Sequence, residues 1–103
     1  EYNTISGNVC ILNGYTAPMG GNGIHLLAYA EHNTIAGNVC VNNHNNGIRL
    51  QKEDAFPNNP AINNVVDGNT CLLHSGSPGT DKPIAVDDPR NIVAFNKTGT
   101  LPA

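Results

Sequence analysis

Two short clusters of acidic side chains could take part in proton transfer. One is Glu53 with Asp54 and the other is Asp87 with Asp88, in a chain that has only 8 acidic residues. A positioned carboxyl group can act as a general acid or base. Adjacent strand residues point to opposite faces, so Asp87 and Asp88 should face apart, and Asp54 or Glu53 could pair with one of them. Asp54, Asp87 and Asp88 are therefore the catalytic candidates.

Side chains that could contact a ligand lie in, or just after, a short repeated motif. His25 and Arg49 occupy the same position in two copies of a short motif, and Lys52 and Glu53 follow the second copy. Cationic and hydrogen-bonding groups of this kind can stabilise a carboxylate or a developing negative charge. His25, Arg49, Lys52 and Glu53 are the candidate substrate-binding residues. The alternative is a solvated face that bears the few charges of the chain.

The three cysteines, Cys10, Cys40 and Cys71, share one position of a repeat. Metal sites usually draw ligands at short spacings such as Cys-x-x-Cys, and no such spacing occurs here. Free cysteine commonly behaves as a small apolar core residue. We therefore predict that the cysteines fill the core, and we expect neither a metal nor another cofactor.

An internal repeat must position these groups. Its frame is Asn-x-(Ile/Val)-x-x-Asn, and its second Asn recurs at Asn8, Asn38, Asn69 and Asn96, at intervals of 30, 31 and 27 residues. A second motif, Gly-Ile-x-Leu, falls between the copies at residues 23–26 and 47–50 and weakens to Pro-Ile-Ala-Val at residues 83–86. Each period thus contains three short runs of alternating apolar residues, which is the pattern of strands.

Periods near thirty residues with three strands each are typical of a solenoid. We predict an all-β fold, a right-handed single-stranded parallel β-helix of about three coils plus a partial fourth, because parallel crossovers are almost always right-handed. Equivalent residues should then stack about 4.8 Å apart. The predicted inward columns are Ile5, Ile35, Val66 and Val93; Ile24, Ile48 and Ile84; Leu26, Leu50 and Val86; and the three cysteines. The recurring Asn should stack at a corner, where Asn tolerates a left-handed backbone.

Composition argues against two classes of partner. The formal net charge is −3 with 5 Lys and Arg, which does not provide the concentrated basic face that binds nucleic acid. No apolar run approaches the roughly 20 residues that a membrane-spanning helix needs. We expect neither nucleic acid nor a membrane span.

The repeats resemble a known family. Asn-Thr-Ile-Ser-Gly-Asn at residues 3–8, Gly-Ile-His-Leu at residues 23–26 and Asn-Thr-Ile-Ala-Gly-Asn at residues 33–38 are similar to the parallel β-helix repeats of carbohydrate-binding proteins and sugar hydrolases. Such repeats also occur in pectate-lyase-like enzymes, phage tailspikes and periplasmic copper-accessory proteins. The resemblance covers nearly the whole chain, and it is specific for the fold and loose for function.

The resemblance implies a polysaccharide or other glycan as the partner. One hypothesis is a segment of a polysaccharide-acting lyase, hydrolase or epimerase, for which hydrolysis would need two carboxyls about 5–10 Å apart. The alternative is a non-catalytic structural or glycan-binding module of a tailspike, adhesin or surface protein. A metal-accessory role has little support from 1 Met and 4 dispersed His. The family implies a secreted, periplasmic or virion-associated location.

The ends of the chain lead to two further expectations. A solenoid exposes strand edges at its end rungs unless they are covered. We expect residues 1–103 to be one β-helix segment, the C-terminal part of a longer β-helix or a chain that pairs with another copy through its ends. Residues 98–102 could form a small lid.

Overall fold

A computed structural model describes residues 2–11, 13, 21–27, 29–52, 60–77 and 79–102 of the chain. These residues form strands, turns and bends, and no helix occurs among them. The strands are β1 (Thr4–Ser6), β2 (Val9–Ile11), β3 (Ile24–Leu26), β4 (Thr34–Ala36), β5 (Val39–Val41), β6 (Ile48–Leu50), β7 (Val65–Asp67), β8 (Thr70–Leu73), β9 (Ile84–Val86), β10 (Ile92–Ala94) and β11 (Lys97–Thr100).

The strands pair only with their counterparts in the neighbouring repeat. The first sheet has the order β1-β4-β7-β10, the second β2-β5-β8-β11 and the third β3-β6-β9. All eight pairings are parallel. Three strands therefore make one rung, three rungs are complete, and β10 and β11 begin a fourth. The fold is a parallel β-helix, as the repeat predicted.

The strand register confirms the predicted inward columns. Ile5 pairs with Ile35, Ile35 with Val66 and Val66 with Val93. The third sheet aligns the Ile24 and Leu26 positions in the same way through all three of its strands. The middle rungs enclose the core, since several of these side chains have no solvent exposure. They are Ile35, Ile48, Leu50 and Val66.

A left-handed residue followed by Asn forms the corners. Gly7, Gly37 and Gly68 have φ of 66°, 66° and 67°, and each precedes an Asn of the recurring column. A second corner, before the first sheet, follows the same rule with Tyr2, His32 and Asn63. Glycine adopts this backbone without steric cost, Asn and Asp tolerate it, and most other residues are strained there. The Asn that follows each left-handed residue begins the next strand pairing.

Two continuous ladders of Asn side chains connect the rungs. The first Asn ladder consists of Asn3, Asn33, Asn64 and Asn91, and the second Asn ladder consists of Asn8, Asn38, Asn69 and Asn96. In both, the Oδ1 of one rung accepts hydrogen bonds from the backbone N–H and the Nδ2 of the rung before it, at 2.9–3.1 Å. The predicted corner column is thus the second of two ladders.

Asn64 shows how a fully buried ladder amide completes its hydrogen bonds. Asn64 has no solvent exposure, and its Oδ1 accepts two hydrogen bonds from Asn33. Its Nδ2 donates to Asn91 Oδ1 and to the carbonyl of Ala30, both at 3.0 Å. Because burying an amide without partners costs free energy, this arrangement makes a polar core column compatible with the apolar columns beside it.

The proposed lid at the C-terminal end was wrong. Lys97–Thr100 form β11, which pairs in parallel with β8 so that Thr98 lies over Cys71 and Thr100 over Leu73. The segment lacks the apolar alternation of the other strands. The segment pairs through the backbone N–H and C=O groups on the free edge of β8, so β11 continues the coil.

Replacing one ladder amide by a carboxylate tests the ladders. Asn64→Asp removes both Nδ2 donors and places a charge at a fully buried position, so we expect the free energy of unfolding to fall by about 3 kcal/mol or more. The matched control is Asn63→Asp, at an exposed neighbour with a φ of 55° that Asp tolerates; its effect should stay within about 0.5 kcal/mol. Chemical denaturation measures both. Equal effects would contradict the ladder.

A close approach between rungs makes a second test. A Cβ on Gly47 would lie 2.5 Å from the carbonyl oxygen of Pro83 and 3.0 Å from Cys71 Cβ, whereas one on Gly79 would meet no atom within 4 Å. Gly47→Ala should destabilise the protein by about 2 kcal/mol, because an overpacked core must shift to relieve the contact. Gly79→Ala, the control, should leave the thermal midpoint nearly unchanged. Similar midpoints for both variants would refute this packing.

Candidate functional site

The outward side of the third sheet carries the predicted binding residues. His25 pairs with Arg49 and Arg49 with Ala85 in the strand register. Their neighbours at the Ile24 and Leu26 positions point into the core, so strand alternation directs this column outward. The structure therefore places His25 and Arg49 on one face, one rung apart, as the repeat predicted.

Arg49 and Asp87 form a bidentate ion pair on this face. Arg49 Nη1 donates to Asp87 Oδ1 at 2.6 Å and Nη2 donates to Oδ2 at 3.0 Å. The backbone N–H of Lys52 also donates to Asp87 Oδ2, at 2.9 Å. Both side chains are about one-fifth exposed. This fork geometry, which Arg favours with carboxylates, joins three of the predicted site residues across two rungs.

A second polar pair lies beside the first. His25 Nε2 and Gln51 Oε1 are 2.7 Å apart. The Gln51 and Asp87 backbones occupy one position of successive rungs, since the N–H of Gln51 donates to Leu26 O and that of Asp87 donates to Leu50 O. The face thus presents a row of paired planar groups, His25 with Gln51 and Arg49 with Asp87.

A cleft of about 250 Å³ opens next to the ion pair. Arg49, Asp87, Ala85 and Val86 line it on the strand side, and Asn46, Thr80 and Lys82 line it on the loop side. The backbone N–H of Lys82 donates to Asn46 Oδ1 at 2.9 Å, and Asn46 Nδ2 donates to Asn22 Oδ1. This short ladder anchors the loop before β9 to the rungs beneath it.

Asp88 lies apart from this cleft. Its carboxylate accepts hydrogen bonds from the backbone N–H, Nε and Nη2 of Arg90, each at 2.9 Å. The hydrogen bonds from the Arg90 side chain and backbone lower the pKa of Asp88 to about 2. A general acid for hydrolysis needs a raised pKa, so this carboxylate has the opposite character. Asp54 and Glu53 lie outside the described residues.

The cysteines form the predicted column. Cys10 pairs with Cys40 and Cys40 with Cys71 in the register of the second sheet. All three are free thiols, and Cys40 and Cys71 have no solvent exposure. The hydrogen bond with Cys71 and burial raise the pKa of the Cys40 thiol, and burial raises that of Cys10. Within the described residues no group of three His, Cys, Asp or Glu could hold a metal ion.

Sequence reasoning missed the side chains that complete the site. They are Gln51, Asn46, Thr80 and Lys82. One signal could have located two of them: Asn22, Asn46 and Lys82 each precede the Gly-Ile or Pro-Ile of the second motif, so they share a repeat position. Thr80 belongs to a loop whose path the repeat does not specify.

Comparisons of the chain with protein-family models, with curated proteins and with solved structures find no match. In the part of the chain that the structure describes, no helix is long and apolar enough to cross a membrane. The basis for a function is therefore the fold together with the geometry of the third-sheet face.

Thiol reactivity distinguishes a core column from a redox or metal site. Because the thiolate is the reactive form and burial denies it access, Cys40 and Cys71 should react with a thiol reagent only as fast as the protein unfolds. Mass spectrometry after a pulse of iodoacetamide would assign the modified residues, with denatured protein as the control. Rapid labelling of Cys40 in the native state would show that the cysteine column is accessible to solvent and would contradict its place in the core.

Proposed function

We propose that this chain is a glycan-binding segment of a polysaccharide-associated β-helix protein, and that the third-sheet face contacts the glycan. The observation that supports this most is the cleft built around the Arg49–Asp87 pair. It combines a rigid sheet floor with polar groups held in fixed orientations, the arrangement that ligand sites require. The secreted, periplasmic or virion-associated location is part of the same proposal.

The cleft offers the groups that sugar hydroxyls and carboxylates need. An Arg guanidinium has five N–H donors, and the Asp87 pair uses two of them. Lys82 adds a flexible cation, and the Asn46 amide adds a donor and an acceptor. A pyranose ring could therefore meet donors and acceptors together, with Ala85 and Val86 as an apolar base.

The charge of the face favours an acidic glycan. Three of the five cationic residues of the chain, Arg49, Lys52 and Lys82, belong to this region, although the chain as a whole has a net charge of −3. Asp87 neutralises Arg49, whereas no ion pair involves Lys82 among the described residues. The cleft itself thus retains one positive charge, which suits a sugar carboxylate or sulfate.

Binding is a better account of these residues than catalysis. Glycoside hydrolysis requires one carboxyl that stays protonated until it donates its proton. Both oxygens of Asp87 accept hydrogen bonds from Arg49, and Asp88 remains ionised through Arg90. Asp87 orients Arg49 and the backbone of Lys52, and Asp88 holds Arg90, so the contacts of the described candidates favour a binding role.

A titration with defined oligosaccharides tests the proposal. Amide chemical shifts of the 103-residue chain should respond to acidic oligosaccharides at Asn46, Arg49 and Lys82, and less to neutral ones. Lys82→Ala and Arg49→Lys should each weaken binding about tenfold or more, because a charge-assisted hydrogen bond contributes about 1.5–3 kcal/mol and Lys cannot replace the bidentate fork.

The matched control is Lys97→Ala, which removes an exposed cation from the second sheet and should leave binding unchanged. If Lys82→Ala and Lys97→Ala lose equal affinity, the loss reflects the net charge of the chain and not a contact in the cleft. If the parent chain depolymerises a glycan and Asp87→Asn abolishes this activity, the role of Asp87 is catalytic and the binding role is wrong. Absence of any response across uronate, sulfated and neutral oligosaccharides would reject the proposal.

A further inference from the structure

His74 begins the loop that connects β8 to β9, and this loop brings Thr80 and Lys82 to the cleft. Both ends of the loop are attached to one corner of the rung before it. At the first end, His74 Nε2 lies 3.1 Å from the backbone oxygen of His44. At the other end, the backbone N–H of Lys82 donates to Asn46 Oδ1 at 2.9 Å. The contacts of His74 therefore help to hold the loop side of the cleft.

Both ring nitrogens of His74 face carbonyl oxygens. Nε2 lies 3.1 Å from His44 O, and Nδ1 lies 2.9 Å from Ser75 O. A carbonyl oxygen can only accept a hydrogen bond, whereas a neutral imidazole has one N–H group and one nitrogen with a lone pair. The imidazolium has a hydrogen on both nitrogens. The protonated ring therefore makes both hydrogen bonds, while the neutral ring loses one and directs a lone pair at a carbonyl oxygen.

An amide holds the His74 position in the rung before. Leu72 pairs with Val41 in the strand register, and His74 lies two residues after Leu72 as Asn43 lies two residues after Val41. Asn43 Nδ2 donates to the carbonyl of Cys10 at 2.9 Å, and an amide keeps its N–H groups at every ordinary pH. At His74 the sequence replaces this permanent donor by a ring whose number of N–H groups depends on pH.

The surroundings of the ring are compatible with one proton. The ring of His44 stacks on that of His74, with centroids 6.0 Å apart and an interplanar angle of 12°. Because like charges in adjacent rings repel, the arrangement suits one proton for the two rings. The turn that follows, residues 75–77, contains Ser and Gly, and Leu101 holds the same repeat position in the next rung. The carbonyl oxygens of His44 and Ser75 are thus the partners of the charge.

We propose that His74 is a proton-dependent anchor of the loop that carries Thr80 and Lys82. Histidine changes its charge between about pH 5 and pH 8. Below this range the imidazolium holds both carbonyls and fixes the start of the loop. As the pH rises through the range, the ring loses one hydrogen, one contact is lost and the loop loosens. The stabilisation is therefore present at low pH and lost at high pH. This inference does not depend on glycan binding.

Amide hydrogen exchange in the loop tests the anchor. Ser77 closes the turn after His74, since its N–H donates to His74 O at 3.3 Å, and the N–H of Lys82 marks the far end of the loop. Protection factors, which correct for the intrinsic effect of pH on exchange, should fall about tenfold at both amides between about pH 5 and about pH 8. Equal protection at the two pH values would overturn the proposal.

Two histidine-to-asparagine variants identify the group responsible. His74→Asn supplies the amide that the rung before has at this position, so it should fold, and the protection of Ser77 and Lys82 should be the same at both pH values. His32→Asn is the matched control. It removes a histidine from the corner before the first sheet, where the φ of 57° suits Asn, and it should keep the tenfold dependence.

The two variants can also contradict the proposal. If His74→Asn keeps the dependence of the parent chain, or if His32→Asn removes it, a group other than His74 carries the effect and the anchor is wrong.

Nitrogen NMR of the His74 ring provides a measurement that needs no variant. At about pH 5 the parent chain should show hydrogen on both ring nitrogens, with hydrogen-bond couplings to the carbonyls of His44 and Ser75. At about pH 8 one of these couplings should be lost. Two couplings at both pH values, or none at the lower one, would refute a proton-dependent anchor.

Discussion

The hydrogen-bonded Asn ladders are the interaction on which the rest of this structure depends. A coil of short strands joined by sharp corners leaves many backbone groups near the core, and each needs a partner. The amide of Asn38 meets this need twice, since its Oδ1 satisfies the N–H of Asn8 while its Nδ2 bonds the carbonyl of Ile5. The ladders thus tie one rung to the next at each turn of the chain.

The ladders also determine where the apolar residues lie. The Asn of a rung must lie above the Asn of the rung before it, so the strands between them keep one register and every column follows. Gly23 and Gly47 show how closely the rungs approach, since a Cβ on either would come within 3 Å of a backbone oxygen in the next rung. The same register brings His25 and Arg49 onto one face and lets Asp87 reach Arg49 from the following rung.

Periodicity explains why so much of the fold was predictable. Ile35, Cys40 and Ile48 recur in a frame of nearly constant length, and stacking requires equivalent residues to be neighbours, so the columns follow from counting. Lys97–Thr100 were misjudged because Thr98 replaces the cysteine and no apolar alternation marks the strand. The backbone of β8, and not the side chains of this segment, accounts for its pairing.

The candidate site was less predictable because it depends on what the repeat does not encode. Asp87 follows its strand directly, yet its partner Arg49 lies 38 residues earlier. Two long stretches outside the repeat frame, residues 51–62 and 75–83, separate them in the sequence. Asp88 was a catalytic candidate alongside Asp87, but in the structure its carboxylate binds the side chain of Arg90, two residues further along the chain. Side chains in columns follow from the sequence, whereas loop residues such as Thr80 depend on a chain path that only the three-dimensional structure gives.

The central claim is that each rung lies directly on the one before it through amide contacts. Nuclear Overhauser measurements on labelled protein test this most directly at the side-chain amides of Asn33, Asn38, Asn64 and Asn69. Stacked rungs predict cross-peaks between the amides of Asn38 and Asn69, and of Asn33 and Asn64, together with slow exchange of their Nδ2 hydrogens. Fast exchange, with contacts confined to residues near in sequence, would contradict the account.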